Sequence, residues 1–332
     1  MLKRIVSIGN GTGQGAILKW LIELEWVDIT ALVTTTDNGW SSALIRESLD
    51  IPSPGDVRNV INAINPKSGI LSKLLNYRFE EGELSGTHVG NLIVGALSRI
   101  QGNYLEWIKS LNMLLNLPAR VYPVSNHSTE VCAELQDGSI YCGEWQIIKR
   151  DKQNMPVKKY FLKDPFPAID EGLEAIRDAD LIVICPGVLG TGIIATLLFD
   201  GMQKAIMDSD AKLLYICNAM TYPSQTDGFA VSDHVHLLEE YTGRNIDLLM
   251  ANTMVPPKDV LEQYAKTWSD FVELDRTNLR DDIEIVAEKM LIDYMAHDEQ
   301  ELSRAKGKGQ NVGLHRIRHD SHKIAQLIQS LL

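Results

Sequence analysis

Apolar positions along the chain follow two periods. Lys3–Ile8 is a short, nearly continuous apolar run that ends in a cluster of glycines. Ile17, Leu18, Trp20, Leu21, Ile22 and Leu24 then recur at helical spacing. Asp28–Thr35 reads as a second strand. Strand, glycine turn, helix, strand is one βαβ unit, and it implies a parallel sheet. The pattern returns further on. Asp180–Cys185 is an apolar strand running into Pro-Gly, followed by a helix over Ile193–Met207. Lys212–Cys217 and Asn245–Ala251 are two more strands with helices between them.

Between these halves the pattern is helical over 56–117, clearest at Gly90–Ile100 and Leu105–Leu115. Over 119–163 it changes: Val131–Gln136 and Ser139–Trp145 flank Asp137-Gly138, a two-residue hairpin signal. The expected architecture is one α/β domain over 1–296, a mostly parallel sheet with helices on both faces. It carries a helical insertion (56–117) and a small antiparallel excursion (119–163) attached to the main sheet. A polar arm and an amphipathic helix over Ser321–Leu332 complete the chain, in the segment 297–332.

Composition narrows the partners. Of 332 residues, 45% are hydrophobic and 23% charged, which is ordinary globular usage. No run reaches the roughly 18 apolar residues of a membrane helix, and the start does not read as a signal peptide, so a cytoplasmic setting without membrane contact is expected. The net charge of −12 argues against nucleic-acid binding. It leaves room for a small anion held at helix N-termini. Cys132, Cys142, Cys185 and Cys217 lack metal-ligand spacing and are expected reduced, a Cys132–Cys142 bridge being the lesser alternative.

Candidate chemistry gathers where strands give way to helices. The first loop, Gly9-Asn10-Gly11-Thr12-Gly13-Gln14-Gly15, suits a backbone that approaches a phosphate, with Gly9, Gly11, Thr12 and Gly13 as ligand contacts. It is not a dinucleotide fingerprint, because Gln14 holds the third glycine position, so NAD is not expected. After the second strand, Asp37 stands among Thr34–Thr36, Asn38, Ser41 and Ser42. Asp37 could bind Mg²⁺, orient a hydroxyl, accept a proton or cap a helix. Asp56, Arg58 and Asn59 open the next helix, where an arginine is poorly placed for the helix dipole and points to a ligand role. Gly187 and Thr191 lie in a second glycine-rich junction, and Asn218, Thr221 and Asp227 in the loop after a further strand. His88 and Asn91 precede and open an apolar helix; His88 serves as a proton shuttle, a cap or a core residue. These loops share the carboxyl edge of a parallel sheet, where ligands bind in open α/β folds.

The same residues resemble the CofD-like family, which comprises archaeal 2-phospho-L-lactate transferases and bacterial gluconeogenesis factors, the bacterial branch being the nearer. The resemblance rests on Val33–Gly39, Pro54–Asn59, Tyr77-Arg78-Phe79, Gly90-Asn91-Leu92, Ala179–Val183, Cys217–Thr221 and Thr226–Val235. It runs in order from about residue 3 to about residue 252. It implies a Rossmann-like fold and a nucleotide-type ligand, with bacterial members resembling UDP-sugar binders that act in carbon-source adaptation and cell-wall or cell-shape control. The archaeal enzymes transfer a phospholactyl group to a deazaflavin alcohol with Mg²⁺. This chain departs from the family at Asn10, Trp40 and Thr87, and at Val188, Gly190 and Gly192, where two hydroxyls and a phenol are usual.

Two functions follow as expectations. The first is a nucleotide-sugar-binding regulator of the gluconeogenesis-factor type. The alternative is a Mg²⁺-dependent phospholactyl-type transferase, in which Asp37 holds metal and His88 moves a proton. Whether the protein is an enzyme stays open at this point. A homodimer is compatible with either.

Overall fold

A computed structural model describes residues 2–37, 46, 49, 51–65, 70–151, 155–266, 269–292 and 317–332. The chain starts with β1 (Lys3–Gly9), α1 (Gly11–Leu21) and β2 (Val27–Val33). The insertion contributes α2 (Gly55–Ile64), α3 (Ile70–Asn76), α4 (Val89–Gln101) and α5 (Tyr104–Leu115). Then come β3 (Arg120–Pro123), β4 (Val131–Leu135), β5 (Ile140–Cys142), α6 (Glu144–Lys149) and β6 (Val157–Leu162). The second half holds α7 (Asp170–Arg177), β7 (Leu181–Ile184), a π-helical turn (Leu189–Ile194), α8 (Met202–Asp208) and β8 (Lys212–Ile216). It ends with α9 (Val231–Thr242), β9 (Leu248–Asn252), α10 (Lys258–Ala265), β10 (Glu284–Glu288) and α11 (Ser321–Leu331).

Seven strands form one parallel sheet in the order β10-β9-β8-β7-β1-β2-β3. The order reverses between β1 and β7, so the connections leaving those two strands go to opposite faces of the sheet, and the ligand crevice of such folds belongs at their carboxyl ends. This is the Rossmann-like arrangement. Strand alternation sorts the core onto two faces. Val6, Ile8, Ile182, Ile184, Leu213 and Tyr215 join one cluster, while Ile5, Val183, Leu214 and Ile216 join the other with α1, α2 and α5. Helix α11 closes the second cluster through Ile324, Ala325 and Ile328. Among the described residues no helix is long and apolar enough to cross a membrane.

Five sequence expectations are corrected. The antiparallel excursion is a separate three-stranded sheet, β5-β4-β6, rather than an extension of the main one. Its turn is a three-residue loop: Gly138 N–H donates to Leu135 O and Leu135 N–H to Ser139 O, with Gly138 at φ 83°. Beyond it, Ser139–Trp145 is only half strand, because Gly143 at φ 92° turns the chain into α6. The helix expected over Ile193–Met207 breaks at Gly201 (φ 94°), where Asp200 instead bonds the 166–168 backbone. Finally, Cys132 and Cys142, expected reduced, form a disulfide. They stand directly opposite each other on β4 and β5, a juxtaposition that compartment arguments could not weigh.

Candidate functional site

The crevice between β1 and β7 is built from backbone brought close by glycines. Gly13 passes so near the β7 loop that a Cβ there would lie 2.0 Å from Pro186 O. Gly11, at φ 44°, passes over α2, where a Cβ would meet Asp56 Oδ1 at 2.3 Å. Gly9 sits tightly between Gln14 and Cys185. Gln14, which breaks the dinucleotide fingerprint, is fully buried and donates to Ser7 O, Ser7 Oγ and Leu32 O at 3.0–3.1 Å. It pins α1 to the ends of β1 and β2. Asn10, at the cap position of α1, makes no side-chain cap bond; its amide instead fills the space over Gly187 and Gly192. The first turn of α1, with Thr12 exposed, therefore keeps its N–H ends for something other than a cap.

Other candidates hold the loops to one another. Asn218 and Gly187 exchange two hydrogen bonds, with Gly187 N–H to Asn218 Oδ1 at 3.0 Å and Asn218 Nδ2 to Gly187 O at 2.7 Å. Thr191 is buried and fully engaged. Its N–H donates to Gln225 Oε1 and its hydroxyl to Glu144 Oε1, while its hydroxyl accepts from Gln225 Nε2 and its carbonyl from Thr36 Oγ1. Thr221 accepts from Asp270 N–H at 2.7 Å and is tied to the 269–270 segment. Asp227 is exposed near Arg150. Asn38, Ser41 and Ser42 lie outside the described residues.

A charged cluster borders the crevice. Ser53 N–H donates to Thr35 O, which sets the start of α2 against the end of β2 and brings Asp56 near Asp37. Burial, then Asp37, then Glu144 push the Asp56 carboxyl well above the ordinary carboxylate range, against the opposing pull of Arg58. Arg58 donates through Nη2 to Asn59 Oδ1 at 2.8 Å. Next to it His88, at the cap position of α4, accepts from Arg78 Nε at 3.0 Å and faces Arg78 Nη2 at 2.6 Å. An accepting Nε2 fixes the ring with its proton on Nδ1. Any proton shuttling by His88 Nε2 would need Arg78 to move. Asn91 is buried in the first turn of α4. Two participants were missed in the sequence. Glu144 lies beyond a turn that only Gly143 hinted at, and Arg78 was noted for resemblance alone.

By contrast, the cavity of about 320 Å³ at the opposite sheet edge is lined by the ion pairs Arg4–Asp178 and Arg120–Asp28, together with Glu171, which pairs with Lys109, and Glu174.

Comparison with known proteins agrees with this architecture. A family model described as "2-phospho-L-lactate transferase CofD" matches residues 5–291. A Thermotoga maritima relative is 40% identical over 328 residues, 99% of each chain. A Bacillus subtilis protein named "Gluconeogenesis factor" is 33% identical over 335 residues, 99% of this chain and 98% of that one. A crystal structure of a UPF0052-family protein from Bacillus halodurans is 33% identical and superposes with a TM-score of 0.88 over 99% of both chains. With a family model spanning nearly its whole length and relatives above 30% identity end to end, this chain belongs to the 2-phospho-L-lactate transferase CofD family.

Proposed function

We propose that this protein binds a phosphate-bearing nucleotide-type ligand of the UDP-sugar class at the β1–β7 crevice. It does so as a cytoplasmic regulator of the gluconeogenesis-factor type, acting on carbon metabolism or cell-wall homeostasis. One observation carries the reading. The first turn of α1 has no side-chain cap and faces the Pro186–Gly187 loop at the point where strand order reverses. Backbone N–H groups and the helix dipole at that position favour a diphosphate without asking for any particular side chain.

A second reading is a Mg²⁺-dependent phospholactyl-type transferase, and the nearness of Asp37 to Asp56 favours it. Among the described residues no three His, Cys, Asp or Glu side chains form a metal site. A cation between these two carboxylates would complete its shell with phosphate or water oxygens, as Mg²⁺ commonly does. The binding reading ranks first because Val188, Gly190 and Gly192 stand where hydroxyls and a phenol are usual, and catalysis suffers more than binding when polar groups are lost.

Melting curves with UDP-sugars, GDP and NAD, each with and without Mg²⁺, test it. A ligand at a hundred times its Kd adds about 2.7 kcal/mol. A UDP-sugar should shift the melt more than NAD does. Mass spectrometry after long incubation with a deazaflavin and an activated phospholactate donor separates the two readings. Product that disappears in Asp37→Asn would put the transferase first.

A further inference from the structure

Arg58 and Arg78 come together at the start of α4, in the charged cluster that borders the glycine crevice. Arg58 is only 7% exposed, and its Nε and Nη1 are buried with no hydrogen-bond partner among the described residues. Its stem crosses the first turn of α4 so closely that a Cβ on Gly90 would fall 2.8 Å from Arg58 Cδ. Gly90 is what lets the guanidinium reach this place. Arg78 approaches the same turn, held against the cap residue His88. The cap residue His88 makes no side-chain bond into α4; Val89 N–H donates to Tyr77 O and Asn91 N–H to His88 O, and the positive end of the helix dipole adds to the two cations.

An arginine buried with two unsatisfied donors beside a second arginine is costly unless something negative completes it. The cost registers in Arg58 itself, whose pKa falls to about 10, first through burial and next through Arg78. Asp37 and Asp56 offset part of this through space.

We propose that Arg58, Arg78 and the N-terminus of α4 form an oxyanion subsite for a phosphate monoester group, separate from the phosphates cradled at the β1–β7 crevice. Charge selects the ligand. Two cations and a helix N-terminus match a dianion, whereas a single carboxylate would leave one cation uncompensated. The subsite does not depend on the nucleotide reading, because none of its three components belongs to the glycine loops.

The test uses the full chain and inorganic phosphate as the probe, with chloride and acetate at matched ionic strength as comparisons. Phosphate should raise the Tm more than acetate does, and it should do so equally with saturating UDP present. Arg58→Ala and Arg78→Ala should each weaken phosphate binding at least about tenfold. Arg99→Ala, at the exposed far end of α4, should leave it unchanged. Arg58→Ala removes an unsatisfied buried charge, so in chloride it should melt no lower than the parent. Should that variant fail to fold, Arg78→Ala carries the same test from a half-buried position. A phosphate shift that survives both substitutions, is matched by acetate, or vanishes under UDP overturns the subsite. A failure of UDP to shift the melt would instead count against the crevice reading and leave this one standing.

Discussion

Tyr160 and Gly190 share one space: a Cβ on Gly190 would lie 2.3 Å from the Tyr160 hydroxyl and 2.6 Å from Gln225 Oε1. The family resemblance leads one to expect a phenol at position 190. Here the phenol comes from β6, in the separate antiparallel sheet, and occupies the room that the glycine leaves. Its hydroxyl is buried without a partner, and burial pushes its pKa upward. Asn10 fills the space over Gly192 in the same manner. Two departures from the family pattern are thus met by two side chains from elsewhere in the chain.

Gly190→Ala should therefore destabilise the protein by about 1–3 kcal/mol, the usual cost of overpacking a close-packed site. Tyr160→Phe, which removes an unsatisfied buried hydroxyl while keeping the ring, should be neutral or stabilising. Urea denaturation of the two variants checks both. A neutral Gly190→Ala would mean that Tyr160 yields freely and that the two positions are not coupled.

Such couplings show where the sequence was legible. The βαβ units were, because a buried parallel strand writes itself as a continuous apolar run and a helix as a 3.6-residue period. So was the gathering of the strand-exit loops on one edge, since every parallel strand delivers its loop to the same side. What could not be read were relationships between distant segments. Gln14 looked like a missing glycine, and only the fold shows its amide stitching α1 to Ser7 and Leu32. Thr191 and Asn218 looked like ligand contacts, and their hydrogen bonds go to neighbouring loops. The three-residue turn at Gly138 carried the Asp-Gly signal of a two-residue one, because both turn types reward a glycine with positive φ.

The Cys132–Cys142 bridge makes a chemical prediction. Denatured without reductant, the protein should show two titratable thiols, Cys185 and Cys217, and after reduction all four cysteines should titrate. Reduction should cost about 2–3 kcal/mol by the chain-entropy estimate for so short a loop. Four thiols in the untreated protein would restore the reduced hairpin expected from the sequence.

His319 ties stability to pH. It pairs with Leu291 in an isolated bridge, and its imidazole Nε2 is buried with no partner among the described residues. Burial pulls its pKa down to about 4, against a backbone hydrogen bond with Cys217 that pulls the other way. The folded protein holds the ring neutral, while the unfolded chain protonates it near about 6.5. Between those values the unfolded state binds more protons, so stability falls as the pH drops through this window. His319→Gln should flatten that decline in chemical denaturation from about pH 7 to about pH 4. His234, also pulled down by burial, contributes a slope of the same sign. An unchanged slope in the variant would show that other groups govern acid unfolding.

Asp56 acts with the opposite sign. Its pKa lies above the unfolded value because burial, Asp37 and Glu144 all oppose its charge. The folded state therefore holds the proton longer than the unfolded chain does. Its contribution to stability is greatest below the unfolded pKa and is lost as the pH rises through the folded one. A first-turn carboxylate ordinarily gains about 0.3–1 kcal/mol from the helix dipole. At Asp56 the like charges and the lost solvation outweigh that gain. Asp56→Asn keeps the shape, removes the repulsion with Asp37, and should melt above the parent near neutral pH, with the gap closing toward acid. A divalent cation that settled between the two carboxylates would relieve the same repulsion. Mg²⁺ should therefore raise the parent's Tm and leave Asp56→Asn nearly unmoved. If the variant melts lower than the parent at neutral pH, the repulsion is not what burial makes it out to be. If Mg²⁺ stabilises both proteins equally, the cation binds elsewhere and the case for metal-assisted chemistry between Asp37 and Asp56 falls with it.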